Sequence, residues 1–392
     1  MTPDDLFAPG SDANWSPPEA LEAPVDSGRP LVLYRGPLQR HRLRLLLSAL
    51  NQRYGATDVV WLSPLGVHRV PSDGVTWLAQ QAGVAALRVV DSRTTRYVDT
   101  MMALRRLKLG GRGVVVCLNI STLPYLAAIR SRWSMWMVQG IPEEQGFSRA
   151  SQRDARAWVT WKVLASSKTP TLTVAVSRRM ASYMSSRLPG QNVTVVPNSV
   201  SDDALHPPSP TSNPPTLVYM GSGAKWQNLD QLAELWGAAS ELNPEMRFRV
   251  VSNDDRALVL GRNLPAARIE SRSGWHPSEV AEALSGAAAG FLLRTSHIVN
   301  LVSCPVKFGE YAGASVPVVA TDMDWDVADT IRDTGCGLLL SPDLGTRALA
   351  GTLLDWLASD EYRRAPQAAF EVGESLSDSA ITSKLLELLP NP

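Results

Sequence analysis

The strongest constraint on this chain is an alternation that runs through it twice. Short apolar segments of strand length, PLVLYRG, DVVWLSP, GVAALRVVD, GVVVCLN, MWMVQG and TLTVAVS, are separated by segments with helical spacing. In RHRLRLLLSALNQRYG, for example, Leu43, Leu46, Leu47 and Leu50 fall on one face. SRRMASYMSSRLPG reads as a later helix with Ser177 at its N-cap. Strands that alternate with helices fold as a parallel sheet covered on both faces. From Pro197 to Pro215 the chain carries six prolines and few large apolar residues, the composition of a linker or long loop. The alternation then restarts with TLVYMG, FRVVSN, ARIES, GFLLR, VPVVAT and GCGLLLS. The fold class is therefore α/β, two doubly wound parallel-sheet domains. We expect a disordered tail over 1–29, a first domain over 30–199 and a second over 200–377. A last helix, about 378–390, has little chain left to cover it and is expected to pack back on the first domain.

Composition narrows the function classes. Lys plus Arg and Asp plus Glu are both 38 in 392 residues, so no global charge points to a nucleic-acid partner. Cys117, Cys304 and Cys336 are too few and too scattered for a disulfide framework or a zinc site. The acidic, proline-rich start lacks the basic and apolar regions of a signal peptide, and no apolar run reaches the roughly 20 residues of a membrane span. We read a soluble protein of a reducing, cytoplasmic compartment. Clustered basic residues at Arg40, Arg42, Arg44, Arg105, Arg106 and Lys108 are either solvated faces or a weak peripheral contact with anionic lipid.

In open parallel sheets, ligands bind beyond the carboxyl ends of strands. At one such end stands LVYMGSGAKWQN: strand, glycine-rich turn, helix. Glycines let backbone N–H groups approach an anion, although the turn is one residue short of a dinucleotide fingerprint and also reads as a plain tight turn. Arg294 follows another strand, and Asn300, Lys307 and Glu310 lie on the next loop and helix start. Two cations and a carboxylate suit a nucleotide diphosphate with its ribose. Glu310 alone is also explained by its place in a first helical turn. DMDWD, Asp322 to Asp326, offers alternating carboxylates as a metal site would, or a solvated loop after a strand. Trp133, Trp136, Trp158 and Trp161 are core or line an acceptor groove.

These residues resemble a known family. LLRTSHIVNLVSCPVKFGEYAGASVPVVATD is similar to the donor-site signature of the retaining, GT-B-type glycosyltransferases, the large family that includes sucrose and mannosyl transferases. VAVSRRMASYM with VTVVPNSV resembles that family's inter-domain approach, LVYMGSGAKWQNLDQL its phosphate loop, and MVQGIPEEQG a loop of its first domain. The likeness covers residues 170–325 well and the first half thinly. It implies two Rossmann-like domains facing across a cleft, the nucleotide-sugar donor on the second and a glycan, lipid-linked or small-molecule acceptor on the first.

Carried over by position, Glu310 holds the ribose hydroxyls, Lys307 and Arg294 meet the diphosphate, and Gly221, Ser222 and Gly223 form a backbone cradle with Lys225 beside it. Tyr311 completes the donor motif, and Glu144 is a catalytic candidate that orients donor or acceptor. With these cations no metal and no cofactor is expected. The chain departs from the pattern at Val302, where a donor-side glutamate is common, at Ser222 for an arginine, at Gln227-Asn228 for Lys-Gly and at Gln139 for a basic residue. The rival readings are a nucleotide-sugar epimerase on the same plan and a non-catalytic nucleotide-sugar-binding subunit.

Overall fold

The computed structural model describes residues 23, 26, 28–35, 40–63, 72–91, 97–107, 109, 111–146, 150–262, 267–270 and 277–392. The chain divides into two compact units. The first comprises Met1–Val176, Met180–Val196 and Thr382–Pro392, and the second Ser177–Arg179 and Pro197–Ile381. Most of the expected tail lies outside the described residues. Its described end is held rather than loose: the Ala23 carbonyl accepts from Arg88 and the Asp26 N–H donates to Asp58, both in the first unit.

The first unit carries seven strands: β1 (Leu31–Arg35), β2 (Thr57–Ser63), β3 (Val84–Asp91), β4 (Arg112–Leu118), β5 (Ser131–Val138), β6 (Leu172–Ala175) and β7 (Val193–Val195). They form one sheet in the order β3-β2-β1-β4-β5-β6-β7, every described pairing parallel. Leu33, for instance, stands beside Val60 and Cys117. Its helices are α1 (Arg40–Tyr54), α2 (Ser72–Ala79), α3 (Tyr97–Arg106), α4 (Ala150–Ala165) and most of α5 (Arg178–Arg187). Leu31 to Tyr34 are wholly buried, which is why the strand reads as an unbroken apolar run.

The second unit repeats the plan with β8 (Thr216–Met220), β9 (Arg247–Val251), β10 (Ala267–Glu270), β11 (Ala289–Leu292), β12 (Val318–Thr321) and β13 (Gly337–Leu340). These strands are all parallel, in the order β10-β9-β8-β11-β12-β13. Helices α6 (Leu229–Leu242), α7 (Asp255–Arg262), α8 (Pro277–Leu284), α9 (Ile298–Leu301), α10 (Val306–Gly313), α11 (Asp326–Thr334), α12 (Thr346–Leu357) and α13 (Asp360–Ser375) cover it. Side chains alternate across a strand. Leu217 and Tyr219 therefore join the core formed with Trp236 of α6 and Leu353 of α12, whereas Val218 and Met220 join that formed with Ala312 of α10 and Val372 of α13. In both sheets the order reverses beside the first strand, at β1/β4 and at β8/β11, and at such a switch point the strand ends leave a crevice for a ligand.

The proline-rich stretch and the last helix are both tied into the fold. The proline-rich stretch is not a free linker. Ala204 is buried in the second core, the His206 N–H donates to the Gly313 carbonyl, and the Ser212 N–H to that of Gly286. The final helix, α14 (Asp378–Leu388), begins in the second unit, where Val200 pairs with Ser377, and continues into the first. There Arg53 donates to the Leu386 carbonyl and Tyr54 to that of Pro390.

Candidate active site

The β8/β11 switch point gathers several of the expected residues. After β8 the chain turns at Gly221, whose φ of 130° is a conformation that favours glycine. A Cβ there would also strike the ammonium group of Lys307, which comes from the first turn of α10. Lys307 Nζ lies 2.8 Å from Gln227 Oε1 and 3.2 Å from Tyr219 Oη, and 4.6 Å from the centre of the Tyr219 ring. Both of these groups are neutral. Lys307 as a residue is half-buried, its enclosed part being the ammonium end. Burial first, and then the charge of Arg294, lower its pKa well below 10.5, with a smaller opposing pull from Glu310 three residues on.

Arg294 follows β11. Its N–H donates to Thr321 Oγ1 at 2.9 Å, at the end of β12, and its Nη1 to the Trp226 carbonyl at 3.2 Å. The residue is 6% exposed, and its Nε has no hydrogen-bond partner among the described residues. Burial lowers this guanidinium from 12.5 to about 10, even with Tyr219 and Tyr311 beside it. Two cations thus stand at one switch point, each held below its ordinary pKa by burial. Such charge is costly until an anion compensates it. Glu310 is half-buried on α10, three residues after Lys307, and its charge acts on that ammonium group.

Other expected residues are placed differently. Tyr311 is wholly buried; its hydroxyl accepts from the Met220 N–H at 2.8 Å and so braces β8 from within rather than facing a ligand. Asn300 is 2% exposed, and its amide donates to the Thr295 carbonyl at 2.8 Å, which fixes the loop before α10. The backbone cradle is largely spent inside the protein: the Gly221 N–H donates to the Val251 carbonyl and the Gly223 N–H to Asp254 Oδ2 at 2.9 Å. The Arg256 guanidinium beside Asp254 holds that carboxyl down at about 2, so a carboxylate already occupies the place assigned to phosphate. Ser222 gives its carbonyl to Tyr219 Oη, and Lys225 opens the short helix Lys225–Gln227, its side chain outside the described residues. Val302 is 1% exposed, so the position of the family glutamate points into the core.

In the DMDWD segment the carboxylates meet arginines rather than standing free in solvent. Asp322 pairs with Arg332, Asp324 with Arg179, and Asp326 accepts from the N–H groups of Arg178 and Arg179 at 2.7 and 3.1 Å. Among the described residues no cluster of three or more His, Cys, Asp or Glu could hold a metal. Asp326 thus caps α5, the role expected of Ser177, whose hydroxyl instead donates to the Val302 carbonyl at 2.6 Å.

Glu144 belongs to the first unit, on the short helix Pro142–Gly146, where its Oε1 accepts from the Ile141 N–H and its carboxyl packs against Gly140. Surrounding protein atoms push its carboxyl up from 4.5 to about 7, while its outer edge stays open to solvent. Its neighbour Glu143 is structural, taken by Trp161 Nε1 at 3.0 Å and Tyr183 Oη at 2.7 Å. Trp136 and Trp161 are core, whereas Trp158 is 60% exposed.

Tyr219 was not singled out from sequence, and Gln227 was noted there only as a departure from the resembled pattern's lysine, which was the available signal for its place beside Lys307. Solved structures of known proteins share this chain's plan. Sucrose-phosphate synthase from Thermosynechococcus elongatus is 14% identical, with a TM-score of 0.66 over 92% of this chain and 98% of its own. HepE from Anabaena, solved in complex with UDP, is 12% identical, with a TM-score of 0.65 over 92% and 99%. WaaG, a glycosyltransferase involved in lipopolysaccharide biosynthesis, is 14% identical, with a TM-score of 0.62 over 93% and 100%. At such identities the likeness establishes the fold: two Rossmann-like units of the GT-B type. No protein-family model and no curated protein matches the chain.

Proposed function

We propose that the chain is a glycosyltransferase that moves a sugar from a nucleotide-sugar donor to an acceptor with retention of anomeric configuration. The observation that carries this reading is the pair of cations at the β8/β11 switch point, buried Arg294 and half-buried Lys307 with its enclosed ammonium end. As the bond between sugar and diphosphate breaks, charge grows on the leaving phosphate, and preorganised cations in a low-dielectric crevice stabilise it. Glu310 accepts from the ribose hydroxyls. Retention without a protein nucleophile has the acceptor attack from the leaving-group side, with a phosphate oxygen taking its proton. Lys307 and Arg294 supply the neutralising charge, so the reaction needs no divalent metal. Proteins of the same fold support the donor class: HepE was solved with UDP, and a pneumococcal O-GlcNAc transferase with UDP and GlcNAc. We further propose cytoplasmic action with weak peripheral attachment to anionic lipid through exposed Arg44, Arg105 and Arg106; no described helix is long and apolar enough to cross a membrane.

Incubation with UDP-, GDP- and ADP-sugars and an acceptor panel tests the reading. Acceptor-dependent release of nucleotide is the expected result, and acceptor-free conversion of the donor would mark an epimerase. A second reading, a subunit that binds nucleotide sugar without turnover, is favoured by the inward-facing Val302 and by Asp254 on the Gly223 N–H. Saturable binding with no nucleotide release across the panel would select it.

A further inference from the structure

We propose that the first unit binds the chain of an anionic single-chain amphiphile in the crevice at its own switch point, β1/β4, and that this amphiphile is the acceptor class. The second clause rests on the glycosyltransferase reading; the binding itself does not. A cavity of about 320 Å³ opens there between Arg35, the last residue of β1, and the segment that follows β4. That is within the range of small-molecule pockets. Its walls are mostly apolar: Ile120, Pro124, Tyr125, Pro142, Val163 and Leu164. A sugar ring presents hydroxyls that need partners, usually carboxylates or amides. Among the described residues this lining has neither, only the hydroxyl-bearing Ser121, Thr160 and Tyr125 and the basic Arg35. A hydrocarbon chain fits such walls, and a guanidinium fits a phosphate at its end.

The cavity also has an apolar path leading out of it. Val159 and Val163, one turn apart on α4, line the cavity and yet are 52% and 47% exposed. The exposed ring of Trp158 stands on the adjoining face of α4, with Lys162 Nζ 5.5 Å from its centre. An occupant longer than the cavity would run along this stripe. The wall is fixed in advance: the Asn119 amide donates to the Arg35 carbonyl at 2.8 Å, and Trp136 Nε1 to the Asn119 carbonyl at 3.1 Å.

The test is calorimetric titration of the intact, donor-free protein with hexyl, octyl and decyl phosphate, each below its micelle concentration. Affinity should rise roughly fourfold for each added methylene until the cavity and stripe are filled. Octanol should bind at least about tenfold more weakly than octyl phosphate, as expected for loss of a charge-assisted bond. Arg35→Gln should erase that difference and keep the chain-length slope; Val163→Asp should flatten the slope. The wild-type series decides even if a variant fails to fold. Affinity independent of chain length, or a free oligosaccharide that displaces decyl phosphate and binds more tightly, would overturn the proposal. Either result leaves donor-dependent turnover open to its own assay, whereas a clear slope in a protein that never releases nucleotide would remove the transferase reading and leave the amphiphile site standing.

Discussion

Lys307 and Glu310 are three residues apart because one helical turn places them on one face of α10, beside the end of β8. A charge-assisted hydrogen bond contributes about 1.5–3 kcal/mol, so Glu310→Ala should weaken donor binding roughly tenfold to a hundredfold. Lys307→Ala should lower kcat more than donor affinity, because the charge it meets grows in the transition state. Equilibrium binding and steady-state kinetics separate the two variants, and wild-type behaviour in both would refute the site. The lowered pKa of Lys307 adds a pH signature. Between that lowered value and 10.5 the unfolded chain holds more protons than the folded one, so this group's contribution to stability rises with pH across that window. A bound diphosphate raises the pKa back, so donor binding should take up a proton there. Calorimetry in buffers of different ionisation enthalpy reads the uptake, and Lys307→Met should abolish it. Glu144, held near 7, should give kcat an inflection near that pH that Glu144→Gln removes.

Among the elements, α5 shows how a helix start can be fixed from far away in sequence. Its first N–H groups are taken by Asp326, 148 and 147 residues further along the chain. Loss of a cap costs about 0.5–2 kcal/mol, so Asp326→Ala should lower the urea midpoint while Ser177→Ala leaves α5 capped. The turn after β8 is the second case. Gly221→Ala forces a side chain into a glycine conformation and against the Lys307 ammonium group, so donor binding should fall with Lys307 itself unchanged in sequence. Tyr311→Phe removes the partner of the buried Met220 N–H, a loss of about 1–3 kcal/mol in stability. It should act on donor affinity only through the position of β8, which separates bracing from ligand contact.

For the whole molecule, the first unit is anchored at the end of its sheet opposite the strand tips. Asp58, at the start of β2, pairs with Arg112 at 2.9 Å and Arg29 at 3.1 Å, and accepts from the Asp26 N–H. Asp58 and Arg112 are each about 1% exposed, and burial lowers the pKa of Arg112 despite that partner. Removing one member of a buried pair strands the other charge, so Asp58→Ala should cost about 3–5 kcal/mol, seen as a lower midpoint in chemical unfolding. Chelators should leave turnover intact, since arginines already pair the DMDWD carboxylates. Loss of activity in EDTA with rescue by magnesium or manganese would overturn the metal-independent mechanism.

Sequence alone determined the double α/β alternation, because buried parallel strands leave unbroken apolar runs and their crossover helices a 3.6-residue period, both of which are local signals. It also placed Arg294 just past a strand, and Lys307 and Glu310 on the loop and helix start that follow, because a charged residue next to an apolar run has few other places to go. Tertiary structure decided what each residue does there. Tyr311, Asn300 and Val302 lie on the same motif yet face inward, and Asp254 comes from after β9 to take the Gly223 N–H. The proline-rich segment proved to be bound to the second unit, and Asp326 rather than Ser177 proved to cap α5. Apart from Asn300, whose partner Thr295 is five residues away, these outcomes depend on partners 31 to 148 residues away. Spacing along the chain carries the period of an element and the face a residue shares with its neighbours; which distant group meets that face is fixed only when the sheets assemble and every buried polar atom must find a partner.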